Sequence, residues 1–243
     1  MRFTLPATIF VALFLGLSIT VSAQSESRDQ VLSQIEAKRA ELAALEKSFL
    51  EPSADDYAAY AEFLKQPDTG LTRLLPRETY DDDVKSNKKS LTTRGGGAFY
   101  SFTRRTHEYG SGTQIGLEQN EFNVSFAGAD YGMITNLGDV PLEAVTSENP
   151  AIKFLASYSA AEEEPQARSE YRRFASGETI GGTIYKTRAQ ARLNRTYALR
   201  GIHYSDSDVL VAFRIIRKDD DDSVIILWKL LKKYPKPELA RNN

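Results

Sequence analysis

The sequence predicts an α+β fold. It reads as an N-terminal helical segment followed by a mainly antiparallel β-sheet domain, a sandwich or partly open barrel with one covering helix. Two observations carry this. Residues 25–49 hold apolar residues at helical spacing with no Gly or Pro, and the chain after residue 95 alternates apolar and polar residues between turn-forming clusters. The two best-defined hairpins also keep their apolar residues on one face in a single pairing register, as a half-buried ribbon requires.

The chain opens on a targeting pattern. Arg2 forms a short positive region, Ala7 to Val21 is apolar, and Val21-Ser22-Ala23 is a small-residue cleavage site. An apolar run of roughly fifteen residues is short against the ~20 needed to span a bilayer. Residues 1–23 are therefore expected to be a signal peptide, and the mature chain, starting at Gln24, to be periplasmic or extracellular. There are no cysteines, which excludes disulfides, thiol catalysis and Cys-ligated metal centres. Lys and Arg total 31 against 33 Asp and Glu, so no overall field points to nucleic acid.

In Ser25–Phe49, Val31, Ile35, Leu42, Leu45 and Phe49 follow a 3-4 spacing interrupted by Lys38. Self-association through this helix is one reading. Packing of helices on a sheet or on each other is the other, since so few heptads with a charged core position do not specify a coiled coil. Pro52 ends the helix, and Ser53 is suited to N-cap a second one over Ala54–Leu64. The helical segment spans 24–66. Residues 67–94, with Pro67, Gly70, Pro76 and an acidic run at Asp81–Asp83, read as a connector. Arg94-Gly95-Gly96-Gly97 precedes a strand instead of following one, the reverse of a phosphate-cradling loop.

The β-rich domain covers 95–243. Phe99–Arg105 reads as an aromatic strand. Thr113–Glu118 and Glu121–Phe126 pair across Gln119-Asn120, which sets Leu117 opposite Phe122 and Glu118 opposite Glu121. Tyr131–Leu137 is a strand, Ser147–Tyr158 the covering helix, and Ala160–Glu178 a surface helix or loop. Thr183–Thr187 and Thr196–Tyr204 are further strands. The last hairpin, Asp208–Tyr234, turns on Asp219–Asp222. Pairing Lys218 with Ser223 places Ile215 opposite Ile226, Phe213 opposite Trp228 and Val211 opposite Leu230. In all, about seven or eight strands are expected.

Three features bear on function. Thr183–Arg200 carries Lys186, Arg188, Arg192, Arg195 and Arg200 with Tyr185 and Tyr197 interleaved and no acidic residue. Arg and Tyr on a sheet suit an anionic glycan or a lipid head group. A basic surface loop paired with neighbouring glutamates is the plain alternative. His107, one of two histidines, would serve a hydrolase if Asp130 or Glu108 oriented it as a general base, but no nucleophile motif accompanies it. The acidic runs lack the spacing of a calcium loop, because consecutive aspartates diverge. No metal or cofactor is expected. The leading expectation is an exported, non-enzymatic binding or interaction protein of the cell envelope or secretome, with a hydrolase or an assembly subunit as alternatives.

Overall fold

The computed structural model describes residues 27–84, 89–91, 93–124 and 128–240. The expected signal peptide and the end of the strand running to Phe126 lie outside the described residues. The chain divides into two units, Met1–Leu42 and Ala43–Asn243. Helix α1 (Arg28–Leu50) begins in the first. Its start is set by a capping box: Ser27 Oγ accepts from the Gln30 amide, and the Gln30 side chain accepts from the Ser27 N–H. Val31, Leu32, Ile35 and Leu42 are exposed.

The second unit is an α+β domain. Helix α2 (Ala54–Ala59) has the expected Ser53 cap, completed by Asp56, and α3 (Ala61–Leu64) follows it. Residues 67–94 are not simply a connector. They contain β1 (Thr69–Leu74) and a short α4 (Arg77–Tyr80). A Gly and an Arg break the apolar alternation of β1, and its partner strand lies far along the chain, so local pattern hides it.

Strand β2 (Phe99–Tyr100) is shorter than the expected Phe99–Arg105 strand. After Tyr100 the ladder is replaced by a side chain, because Gln114 Oε1 accepts from the Phe102 and Thr103 amides at 2.6 and 3.4 Å. Residues 101–106 fold into a tight loop closed by the Ser101 amide on the Thr106 carbonyl. Strands β3 (Ile115–Glu118) and β4 (Glu121–Asn123) pair in the expected register, Leu117 with Phe122 and Glu118 with Glu121. Gln119 and Asn120 both adopt positive φ, the type I′ geometry.

Strand β5 (Tyr131–Gly138) is followed by α5 (Pro150–Ser157) and α6 (Glu164–Ser176). Then come β6 (Glu178–Ile180), β7 (Thr183–Tyr185), β8 (Arg188–Gln190) and β9 (Thr196–His203). The last hairpin is β10 (Ser207–Lys218) and β11 (Val224–Lys233). It keeps the expected partners Ile215–Ile226, Phe213–Trp228 and Val211–Leu230. The turn is one residue longer than expected: Lys218 pairs with Val224, and an unpaired Ile216 restores the register as a β-bulge.

The main sheet runs β1-β11-β10-β9-β5, and a smaller sheet runs β2-β3-β4-β8. One face of the main sheet, with Val211, Phe213, Ile226 and Trp228, packs on Tyr100, Phe102, Leu117 and Phe122 of the small sheet region. The other face, with Leu210, Ala212, Ile225 and Leu227, packs on Ile152 and Leu155 of α5 and on Ala167 and Phe174 of α6. The sequence anticipated one covering helix, and α6 adds a second through a stripe that only Ala167 and Phe174 mark.

Candidate ligand cleft

Trp228 lines a cleft of about 420 Å³ in the second unit. Trp228 sits on β11 directly opposite Gly70 of β1. A Cβ on Gly70 would lie 2.4 Å from the indole Cζ2, so only glycine lets the two strands and the ring share this space. The indole is buried, and its Nε1 has no hydrogen-bond partner among the described residues. A buried N–H without an acceptor costs about 1–3 kcal/mol.

Arg105 stands over the same ring, its guanidinium carbon 5.4 Å from the indole centroid. The 101–106 loop presents it with φ 58°, a left-handed conformation that costs a non-glycine residue about 1–3 kcal/mol. Its side chain is exposed, and among the described residues it makes no ion pair. The Tyr100 hydroxyl is pushed up to about 12 by burial, against a smaller lowering by Arg105, Thr72 and Trp228. Those three groups therefore surround it, although it completes no hydrogen bond to Nε1.

His107 closes one side. Its Nε2 lies 2.6 Å from the Arg73 carbonyl and 3.3 Å from Thr72 Oγ1, and its ring meets Tyr100 edge-on. A carbonyl only accepts, so Nε2 carries the proton and Nδ1 is left as the acceptor. Burial lowers the pKa of His107, only partly offset by the Arg73 carbonyl, and keeps the ring neutral at pH 7. The opposite rim carries Tyr57, Leu50 and Pro52 with the charged pair Lys47 and Glu51, 3.7 Å apart.

His107 does not meet the carboxylates that a hydrolase would need. Glu108 accepts from Arg104 at 2.6 Å. Asp130 accepts from the Tyr204 amide at 2.8 Å and lies 3.5 Å from Nδ1 of the buried His203. Both candidate orienting groups are committed elsewhere, so the general-base arrangement is not assembled.

The 183–200 segment is not gathered into one surface. Tyr185 is buried and donates to the Ala151 carbonyl. Tyr197 is buried against Phe213, and its hydroxyl donates to the Gln190 carbonyl and accepts from the Arg192 amide. Arg200 is buried and bidentate to Asp208 at 2.5 and 2.8 Å. Strand β9 is buried along its whole length on both faces, so Tyr197 and Arg200 enter opposite cores, which a count of charges does not register. Arg188 lies 3.5 and 3.8 Å from Glu118 and Glu121 and offsets the like-charge pair at the β3–β4 turn. The Lys186 chain covers Gly177. Lys186, and Arg192 and Arg195 in the turn before β9, keep the character the sequence suggested, with no ion pair among the described residues.

The acidic runs also resolve into individual contacts. The Asp81, Asp82 and Asp83 carboxylates do approach one another, within 4.8 Å, contrary to the expectation that they diverge. Asp81 is nonetheless committed to Arg77 Nε at 2.7 Å and to the Asp83 amide. In the last turn, Asp219 pairs with Arg217, Asp221 accepts from the Tyr80 hydroxyl, and Asp222 pairs with Lys218.

Sequence reasoning misses the cleft. Arg105 is visible as a basic residue beside an aromatic run, and Trp228 as a core residue. They meet because the small-sheet region packs on β11, and the cleft is completed by β1, a strand that local pattern does not reveal. No family model matches the chain, and no curated protein or solved structure is significantly similar to it.

Proposed function

We propose that the protein is an exported, non-enzymatic binding module of the cell envelope or secretome, with the Trp228 cleft as its seat for a small anionic ligand. The observation that carries this reading is Arg105, a cation without an ion pair among the described residues, held in a strained backbone over a buried indole whose N–H has no acceptor. An anion would answer the cation and the N–H together. A cleft of this size, with aromatic walls and a few convergent polar groups, has the usual form of a small-molecule site.

Trp228 is the only tryptophan, so its emission reports on the cleft directly. Titrating the mature chain with short anionic glycans or with anionic vesicles should give a saturable change that weakens with salt. The change should vanish in Arg105→Ala and persist in the double variant Arg192→Ala, Arg195→Ala. No response at low salt, or a response that survives Arg105→Ala, would overturn the reading. Export is checked separately, by N-terminal sequencing of the secreted chain, which should begin at Gln24.

A second reading, assembly through the first helix, is favoured by the exposed Val31, Leu32, Ile35 and Leu42. Sedimentation should then show concentration-dependent association that Ile35→Asp with Leu42→Asp abolishes.

A further inference from the structure

We infer that the ligand of the Trp228 cleft is a carboxylate-bearing sugar, a uronate of mono- or disaccharide size, an inference that rests on the binding reading above.

The charge count points to one carboxylate. Arg105 is the one cleft cation free of an ion pair among the described residues, since Lys47 faces Glu51 at 3.7 Å. A single guanidinium fork matches a carboxylate in two parallel hydrogen bonds. A phosphate dianion or a sulfated chain carries more charge than one arginine offsets.

The remaining polar groups point to hydroxyls. Trp228 Nε1 donates only, whereas the Glu51 carboxylate and, by its tautomer, His107 Nδ1 accept only. Thr72 Oγ1 lies beside them and can do either. A carboxylate anchored on Arg105 cannot serve both kinds of partner, because it only accepts. Hydroxyls donate and accept, so a ring carrying several of them satisfies the set. A fatty or aromatic acid would leave the acceptors unanswered and the site's buried polar atoms desolvated.

The walls fit a ring with apolar C–H faces. Tyr57, Tyr100, Leu50 and Leu64 supply flat or aliphatic surface between the polar groups. The volume of about 420 Å³ is small for a polymer and sufficient for one or two rings. A longer glycan would have to enter by its end.

The test uses the mature chain and reads Trp228 emission and titration heat for five probes: galacturonate, digalacturonate, galactose, hexanoate and inorganic phosphate. Galacturonate or its dimer should bind at least about tenfold more tightly than galactose, hexanoate or phosphate. Arg105→Ala should remove that preference, and Arg105→Lys should keep part of it because the charge remains while the fork is lost. Arg105 is exposed, and an unchanged circular-dichroism spectrum would confirm that both variants fold. If hexanoate or phosphate binds as well as the uronates and depends on Arg105, the sugar assignment falls while the anion-binding cleft stands. If galactose equals galacturonate, the carboxylate assignment falls. If no probe changes the emission or gives heat, both the assignment and the cleft reading fall.

Discussion

Arg217 Nη1 donates to both carboxylate oxygens of Asp56, at 2.6 and 2.7 Å, and so ties the start of the second helix to the C-terminal hairpin 161 residues away. Asp56 is already the return half of the Ser53 capping box. One carboxylate thus holds a helix terminus and a bulged strand together.

That carboxylate makes stability depend on acid. Burial would raise the Asp56 pKa, but the two Ser53 hydrogen bonds and Arg217 outweigh it, and the net effect holds the carboxyl below its ordinary value. A depressed folded pKa means the contribution is fully present above the unfolded value and is lost as pH falls through the folded one. Denaturant melts between about pH 6 and pH 2.5 should show wild type losing more stability than Asp56→Asn across the acid limb. Ser53→Ala, which removes the cap alone, should cost about 1 kcal/mol at neutral pH.

The Arg200–Asp208 pair behaves differently, because both partners are buried. Arg200 also donates to the Leu155 carbonyl and lies 3.3 Å under the Tyr234 ring. Removing one charge leaves the other unpaired in the core, so Asp208→Ala should cost about 3–5 kcal/mol. Replacing both by apolar residues of similar volume, Arg200→Met with Asp208→Leu, should cost much less. A double variant as unstable as the single one would mean that the pair's other contacts, not the charge, dominate.

These residues show what is legible beforehand. The two hairpins can be read because each is local: parity within about twenty residues fixes which side chains face each other. The Ser53 cap is legible for the same reason. What escapes are relationships across the chain. Nothing near Thr69–Leu74 announces its pairing with β11, and without that pairing Gly70 and Trp228 have no reason to meet; the approach of Arg105 needs the packing of one sheet on another, which is no more local. Arg200 is misplaced because a basic residue in a strand reads as surface, whereas β9 is covered on both faces and the cost of burying the charge is met by Asp208.

Trp228 is expected to be structural as well as reporting. It packs on Phe102 and Tyr100 and faces Phe213 across the hairpin. Trp228→Ala should destabilise by about 3–5 kcal/mol in a denaturant melt, as truncation of a buried aromatic does. A cost below about 1 kcal/mol would show that the ring contributes little to the core.

Gly70→Ala tests whether the cleft depends on the closeness of two strands. The added methyl would fall 2.4 Å from Cζ2 and 2.8 Å from Nε1 of Trp228, well inside contact distance. Both lie on a rigid ring wedged between Tyr100, Phe102 and Arg105, so the ring or strand β1 must shift. Overpacking of this kind costs about 1–3 kcal/mol. The indole should move away from β1, and its emission should red-shift as Nε1 gains water. Ligand binding should weaken more than in a variant of similar stability altered far from the cleft, such as Ile152→Val in the core on the other face of the main sheet. A Gly70→Ala variant with unchanged emission and unchanged stability would show that β1 and β11 do not approach at this point, and would remove the floor on which the proposed site is built.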